Sequence, residues 1–292
     1  MKIYYKKKIL ITGASGFIGK NVLEILGKKY DFYYLNRENL NQLIQNRKFQ
    51  YNHIKFDCIL HCAAVISVPD KNISSYEYYN FNINSSLALA SLCIDMKIKK
   101  FIYLNTYGYG NFVKNPIDET NKLSPLTSYA KSKYLAEKLL FEFLFKEINL
   151  ISFRIFNLFG KYQNPFFLIP SIIDQAIKGN DVYVNNSETK RDYLYILDLI
   201  NLLDKAFDIS NIKGIYNVGS GKSYGAEEIL YFLSKIMNKK LNLISKNISR
   251  KADIFDCYAN IQKAKNDFGW NLNYSLFDGL TNLLNLIKNN EK

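Results

Sequence analysis

Apolar and polar positions along this chain fall into alternating blocks. Lys8-Ile9-Leu10-Ile11-Thr12 is a short, continuous apolar run rich in β-branched residues, as expected of a strand buried on both faces. A turn with glycines at 13, 16 and 19 follows, and Val22, Leu23, Ile25 and Leu26 then recur at helical spacing. Phe32 to Leu35 predicts a second strand ending at Asn36-Arg37, and the polar residues 38–53 predict one short helix. Asp57-Cys58-Ile59-Leu60-His61-Cys62-Ala63-Ala64 predicts a further buried strand whose small final residues let a ligand lie against the backbone. A helix is predicted over 82–96, then a strand over 101–104 that ends at Asn105-Thr106-Tyr107-Gly108-Tyr109-Gly110. A turn-like stretch from Pro116 to Thr127 opens a helix containing Ser128-Tyr129-Ala130-Lys131-Ser132-Lys133. Strand and helix alternating in this way predict an α/β fold with a doubly wound parallel sheet and right-handed crossovers. Ligands of such sheets sit at the carboxyl ends of the strands, where Gly13, Ala63 and Thr106 should converge.

Composition adds limits. With 292 residues, 48% of them hydrophobic and only 5 proline, the chain has ample core and no sign of disorder. The formal charge of +13 invites a nucleic-acid reading, but the lysines are spread through the chain, and the densest cluster, Lys6-Lys7-Lys8, only leads into the first strand. The charge reads as a solvated basic surface, with attraction of dinucleotides and sugar nucleotides as its functional counterpart. Cys58, Cys62, Cys93 and Cys257 form no metal-ligand pattern and read as reduced core residues of a cytosolic protein. No apolar run approaches about 18 residues and no segment resembles a signal peptide, so a soluble, cytoplasmic protein without a membrane partner is expected.

The glycine-bearing turn is where chemistry enters. Gly13 can take a backbone conformation that a Cβ opposes, Gly16 lets the main chain approach a pyrophosphate, and Gly19 lets the new helix pack against the strand. The helix N-terminus then offers free N–H groups and a partial positive charge to phosphates. A tight turn without a ligand is the alternative, but a turn that follows a strand and opens a helix favours a dinucleotide site. After the second strand an acidic residue would bond the ribose hydroxyls of NAD; Arg37 stands there instead, which tilts the choice toward NADP(H) over NAD(H), unless Arg37 simply faces solvent. His61, inside a strand, reads as a core histidine rather than a catalyst.

Tyr129 and Lys133 are four apart and share one helix face. A nearby ammonium stabilises a phenolate, so the tyrosine can exchange a proton with a hydroxyl or carbonyl, while Thr106 can bond the same oxygen. Such a trio suits hydride transfer, in which a cofactor carries the redox chemistry. The spacing itself is common here, recurring at Tyr4/Lys8, Tyr51/Lys55, Tyr134/Lys138 and Tyr231/Lys235. What singles out Tyr129/Lys133 is a helix after a proline-containing loop, with a threonine-bearing strand end upstream.

The ordered series Thr12 to Gly19, His61 to Ala64, Asn82, Thr106 to Gly110, Tyr129 to Lys133, Arg154 to Gly160, Ile169-Pro170, Arg191 to Asp198, Tyr216 to Gly221 and Arg250 to Asp253 resembles the extended short-chain dehydrogenase/reductases, specifically their nucleotide-sugar epimerase/dehydratase/reductase group. The resemblance implies Thr106, Tyr129 and Lys133 as the catalytic trio. It implies a cofactor site of Gly13, Ser15, Gly16, Phe17, Ile18, Gly19, Asn36, Arg37, Cys62, Ala63, Ala64, Asn82, Tyr129, Lys133 and Phe156. Asn157 then contacts the sugar nucleotide, and Arg191 and Arg250 clamp its diphosphate in two-pronged fashion. A Rossmann domain of residues 1–155, with a return segment 190–218, would carry a smaller α/β substrate-binding lobe of residues 156–189 and 219–292, and the helices 82–96 and 128–146 suit a homodimer through a four-helix bundle.

Departures from the pattern narrow the reaction. Family dehydratases place Asp-Glu after the catalytic Thr, whereas this chain has Tyr107-Gly108, which argues against 4,6-dehydration. The strand end is one residue short, leaving Asn105 as an alternative to Thr106. The segment before Asp57 is short and lacks the acid often found beside adenine, which suits an exchanging cofactor. The lead expectation is therefore an NADPH-dependent 4-ketoreductase acting on a nucleotide-activated hexose or deoxyhexose, as in deoxysugar biosynthesis. The alternative is a nucleotide-sugar 4-epimerase that retains NAD, and a non-enzymatic NADP-sensing protein is a reading from another class.

Overall fold

The computed structural model describes residues 6–66, 72–110, 114–144, 148–248 and 254–290. Its first half is a strand–helix alternation: β1 (Lys8–Thr12), α1 (Phe17–Leu26), β2 (Asp31–Leu35), α2 (Arg37–Asn46), β3 (Cys58–His61), α3 (Ser75–Asp95), β4 (Lys100–Thr106), α4 (Ser128–Leu144) and β5 (Asn149–Ile155). The second half runs through β6 (Asn157–Phe159), α5 (Leu168–Lys178), β7 (Asp181–Val184), β8 (Lys190–Tyr195), α6 (Ile196–Asp208), β9 (Gly214–Val218), β10 (Ser223–Tyr224), α7 (Ala226–Met237), β11 (Asn242–Ser245), β12 (Asp256–Cys257), α8 (Gln262–Phe268) and α9 (Leu276–Asn290).

The large sheet has the order β2-β1-β3-β4-β5-β9, and every pairing is parallel. Period-two alternation divides each central strand between two cores: Ile9, Ile11, Leu60, Ile102 and Leu104 face one apolar cluster, while Leu10, Ile59, Phe101 and Tyr103 face the other. Helices cover both faces, which is why these strands read as unbroken apolar runs. The doubly wound fold is as expected. Only β2 lies outboard of β1, because residues 47–57 make no strand. Phe49, Tyr51 and Phe56 instead pack edge-on with one another and with Tyr33.

Several boundaries differ from the sequence reading. The expected helix over 82–96 begins at Ser75, because Ser74 and Glu77 close a reciprocal capping box ahead of the apolar stripe. Asn36 caps α2 through Asn39 N–H, at 2.8 Å, and that helix stops at Asn46 rather than running to 53. Within the return segment 190–218 the two strands join different sheets. Strand β8 pairs with β6, β10 and β12 in a separate small sheet, while β9 joins the large sheet beside β5. Helix α6 is docked by Lys100, whose ammonium donates to the carbonyls of Ala206, Phe207 and Ile209 at 2.6–2.9 Å, satisfying groups that the helix C-terminus leaves open. The chain order reverses between β1, which pairs outward with β2, and β3, which leads on to β4. In sheets of this kind ligands bind at that switch point, beyond the strands' carboxyl ends.

Candidate functional site

The turn after β1 lies at that switch point. Gly13 has φ +72°, and a Cβ there would lie 2.7 Å from the Ala63 nitrogen, so the turn is pressed against the chain leaving β3. A Cβ at Gly19 would overlap the Gly13 carbonyl and Ala14, so Gly19 seats α1 on the turn itself rather than on the strand. Ser15 and Gly16 form the exposed tip, and Phe17 and Ile18 pack inward on the core. No side chain caps α1 at Gly16 and its first turn carries no acid, so its leading N–H groups are available to an anion. A backbone cradle with small walls at Cys62, Ala63 and Ala64 fits a dinucleotide pyrophosphate.

Behind the cradle a buried polar chain fixes the β3 end. Ser86 Oγ donates to the Asn82 carbonyl at 2.7 Å, so its oxygen accepts from His61 Nε2–H at 3.1 Å, and His61 Nδ1 accepts from Thr12 Oγ1 at 2.8 Å. Thr12 in turn accepts from Ala63 N–H at 3.1 Å. Burial and the Lys133 charge hold the His61 pKa well below the usual histidine range, so the ring is neutral, in keeping with its reading as a core residue. Asn82, expected at the cofactor, spends its amide on the scaffold. Its Oδ1 accepts from Val65 N–H at 2.8 Å and its Nδ2 donates to Val65 O and to Ser132 Oγ, at 3.1 and 2.9 Å. Arg37, expected to meet a 2′-phosphate, is exposed at the start of α2 with its guanidinium 5.0 Å from the centre of the Phe81 ring.

Helices α3 and α4 are zipped at the same end by Ser75–Ser128 at 2.8 Å, by the Tyr78 and Tyr129 rings 6.2 Å apart, and by Asn82–Ser132. This fixes the first two turns of α4. Tyr129 is half-buried, and Lys133 is buried with Nζ 4.0 Å from the centre of the Tyr103 ring. The expected depression of the tyrosine is not what this arrangement produces. Burial and the neighbouring Tyr78 push the Tyr129 pKa up to about 12, while burial brings Lys133 down to about 7. The ammonium meets the ring of Tyr103 instead of the phenol oxygen of Tyr129.

Thr106 ends β4 half-buried, in register with Ile155. Asn105, the alternative, is engaged elsewhere, donating to Glu137 Oε2 at 2.8 Å and accepting from Thr106 N–H at 2.8 Å. Phe156, expected to contact the cofactor, turns its ring into the core, where Tyr107 stacks on it at 4.6 Å with 9° between planes. Its N–H is taken by Val218 O.

The substrate-side residues gather at the small sheet. Asn157 donates to Asp192 O at 3.2 Å and faces the Tyr107 hydroxyl at 3.4 Å. Arg191, two residues before Tyr193, the strand partner of Asn157, bonds the carbonyls of Lys190 and Ile254 and pairs in register with Cys257. Arg250 lies outside the described residues. Asp192, which sequence reasoning passed over, is fully buried and accepts from Ser220 N–H and Oγ–H, Gly221 N–H and Ala259 N–H, at 2.6–3.0 Å, fastening β8 to the loop after β9. In the sequence Tyr107 stands only as a departure from the dehydratase pattern. The fold makes it a wall between Phe156 and Asn157, with a pKa raised by burial above the usual tyrosine range.

Among the described residues no group of His, Cys, Asp or Glu could hold a metal ion, no helix is long and apolar enough to cross a membrane, and the four cysteines are free.

Comparison with known proteins bears on this geometry. The family described as NAD dependent epimerase/dehydratase matches residues 9–219. A UDP-glucose 4-epimerase of Caenorhabditis elegans is 25% identical over 95% of this chain and 96% of its own. A dTDP-D-glucose 4,6-dehydratase of Dictyostelium discoideum is 29% identical over 73% of this chain and 58% of its own. In three dimensions, the UDP-glucose 4-epimerase of Thermotoga maritima, solved with UDP-glucose, superposes with a TM-score of 0.86 at 24% identity, covering 98% of this chain and all of that one.

Proposed function

The chain belongs to the NAD dependent epimerase/dehydratase family, and from that premise we propose that it is a nucleotide-sugar 4-epimerase working with NAD. This replaces the ketoreductase as the lead reading. The observation that carries it is a relative matched over nearly the full length of both chains that is a UDP-glucose 4-epimerase. Against dehydration stands Tyr107, a half-buried phenol stacked on Phe156 that supplies no carboxyl beside Thr106. The preference for NADP(H) rested on Arg37, and that guanidinium is engaged with Phe81.

In this reading the turn at Gly13–Gly19 and the N-terminus of α1 hold the pyrophosphate, and the small residues Cys62, Ala63 and Ala64 let the dinucleotide lie against the chain. A dinucleotide bound there would supply the hydride chemistry at sugar C4. Tyr129 takes the proton of the C4 hydroxyl as the C4–H bond breaks, and gives it back to the 4-keto oxygen. Lys133, on the same face of α4, holds its ammonium against the Tyr103 ring, so favouring the phenolate requires that ammonium to turn toward Tyr129 when the site is loaded. Thr106 bonds the C4 oxygen. Asn157 and Arg191 hold the sugar nucleotide at the small sheet, and Arg250 completes the diphosphate clamp.

The test is to denature freshly purified protein, identify the released dinucleotide by mass spectrometry, and follow UDP-glucose by NMR without added cofactor. Bound NAD(H) together with conversion to the C4 epimer supports the proposal. An empty protein that epimerises nothing but oxidises NADPH with a 4-keto sugar nucleotide overturns it in favour of the reductase.

A further inference from the structure

We infer that Glu137 is a positioning residue for this reaction centre: through Asn105 its buried carboxylate holds the strand end that carries Thr106, from the same helix that carries Tyr129 and Lys133. The inference rests on the reading of those three residues as the centre.

Glu137 follows Lys133 by four residues and Tyr129 by eight, so all three lie along one side of α4. It is 2% exposed, and its carboxyl oxygens are surrounded by donors. Oε1 accepts from Arg154 Nη2 at 2.6 Å, and Oε2 accepts from Asn105 Nδ2 at 2.8 Å and Ser152 Oγ at 2.6 Å, with Arg154 Nε bridging both oxygens at 3.2 Å. Arg154 continues to the Tyr109 hydroxyl at 3.0 Å, which donates to Asn217 Oδ1 at 2.6 Å. Strands β4, β5 and β9 are thereby joined to α4 by one connected polar network.

Stability alone is a weak reason for such an arrangement, because apolar residues of equal volume often do as well as a buried ion pair. Position is a stronger one. The last pairing of β3 with β4 is His61 with Tyr103, and Tyr107 N–H already goes to Ile155 on the β5 side. The N–H of Thr106 therefore points past the end of β3, where no strand partner remains, and Asn105 Oδ1 takes it at 2.8 Å. Asn105 can do so only in the orientation in which its Nδ2 faces Glu137. The carboxylate thus sets the amide, and the amide sets the strand end. The same carboxylate favours the ammonium of Lys133 one turn away.

Two variants separate positioning from mere support. Glu137→Gln removes the charge, whereas Asn105→Ala cuts the link to Thr106 and leaves the Glu137–Arg154 pair intact, so it stays informative if the first variant does not fold. In both, hydrogen exchange of the Thr106 amide is expected to quicken about tenfold or more while the core strands stay protected. Epimerisation is expected to slow by about tenfold, with KM within about threefold. Only Glu137→Gln should move the alkaline limb of the rate profile to lower pH. Folded variants whose Thr106 amide exchanges as in the parent overturn the inference, whatever their activity. If the parent shows no sugar-nucleotide activity, the proposed function fails, and the exchange experiment still decides whether Glu137 holds the strand end.

Discussion

The ammonium of Lys133 stands 4.0 Å from the centre of the Tyr103 ring, and these residues come from neighbouring elements 30 positions apart. A ring face stabilises a cation, by about 2 kcal/mol when both are desolvated, so Tyr103 partly offsets the burial that brings Lys133 down to about 7. The lysine is charged below pH 7 and neutral above it. The rate of a reaction that needs the ammonium should therefore fall as pH rises through about 7. Tyr103→Leu should move that fall to lower pH, and Tyr103→Phe, which keeps the ring, should not. Identical profiles for the Leu variant and the parent would show that the ring contributes nothing.

Tyr129 is the proton carrier of the proposed reaction. Tyr129→Phe keeps the ring packed beside Tyr78 and removes only the hydroxyl, so the fold should persist while kcat drops by about 10²–10⁴. Stopped assays on protein whose circular dichroism matches the parent would check this, and near-parental kcat would remove Tyr129 from the mechanism.

Gly13→Ala meets two obstacles, the φ of +72° and the Ala63 nitrogen 2.7 Å from the new Cβ. Left-handed backbone at a non-glycine residue costs on the order of 1–3 kcal/mol, and relief of the clash pushes apart the two loops of the dinucleotide cradle. The expected outcome is a lower urea midpoint together with loss of bound dinucleotide after purification. A variant that copurifies with the parental amount of dinucleotide would contradict the assignment.

Asp198 is buried at the start of α6, where it accepts from Asn273 N–H at 2.8 Å and Tyr274 N–H at 3.3 Å. Burial raises its pKa from 3.8 to about 6, against the pull of those bonds. The folded chain holds this proton more tightly than the unfolded one. The associated stability is complete below about pH 4 and is lost as pH rises through 6, a change of about 3 kcal/mol. Asp198→Asn does not titrate, so the stability of the variant relative to the parent should improve by about that amount between pH 4 and pH 7. Urea unfolding at both pH values measures it, and an unchanged difference would refute it.

What the sequence by itself determined was local and periodic. Ile9 to Ile11 could be read as a strand buried on both faces because burial leaves no polar alternation. Tyr129 and Lys133 could be placed on one helix face because 3.6 residues per turn brings positions four apart together. The glycine turn was legible because its conformational demand falls on residues only a few positions apart. Glu137 was open to the same argument, since it continues the spacing of Tyr129 and Lys133, but its partners were not. Tertiary structure alone decided that Asn105 turns to Glu137 and leaves Thr106 at the strand end, that the Phe156 ring is buried under Tyr107, that the amide of Asn82 serves the scaffold, and that the ammonium of Lys133 meets Tyr103 rather than the phenol of Tyr129. Each of those outcomes depends on which side chains from distant strands and helices arrive at the same place, and no period along the chain encodes such a meeting.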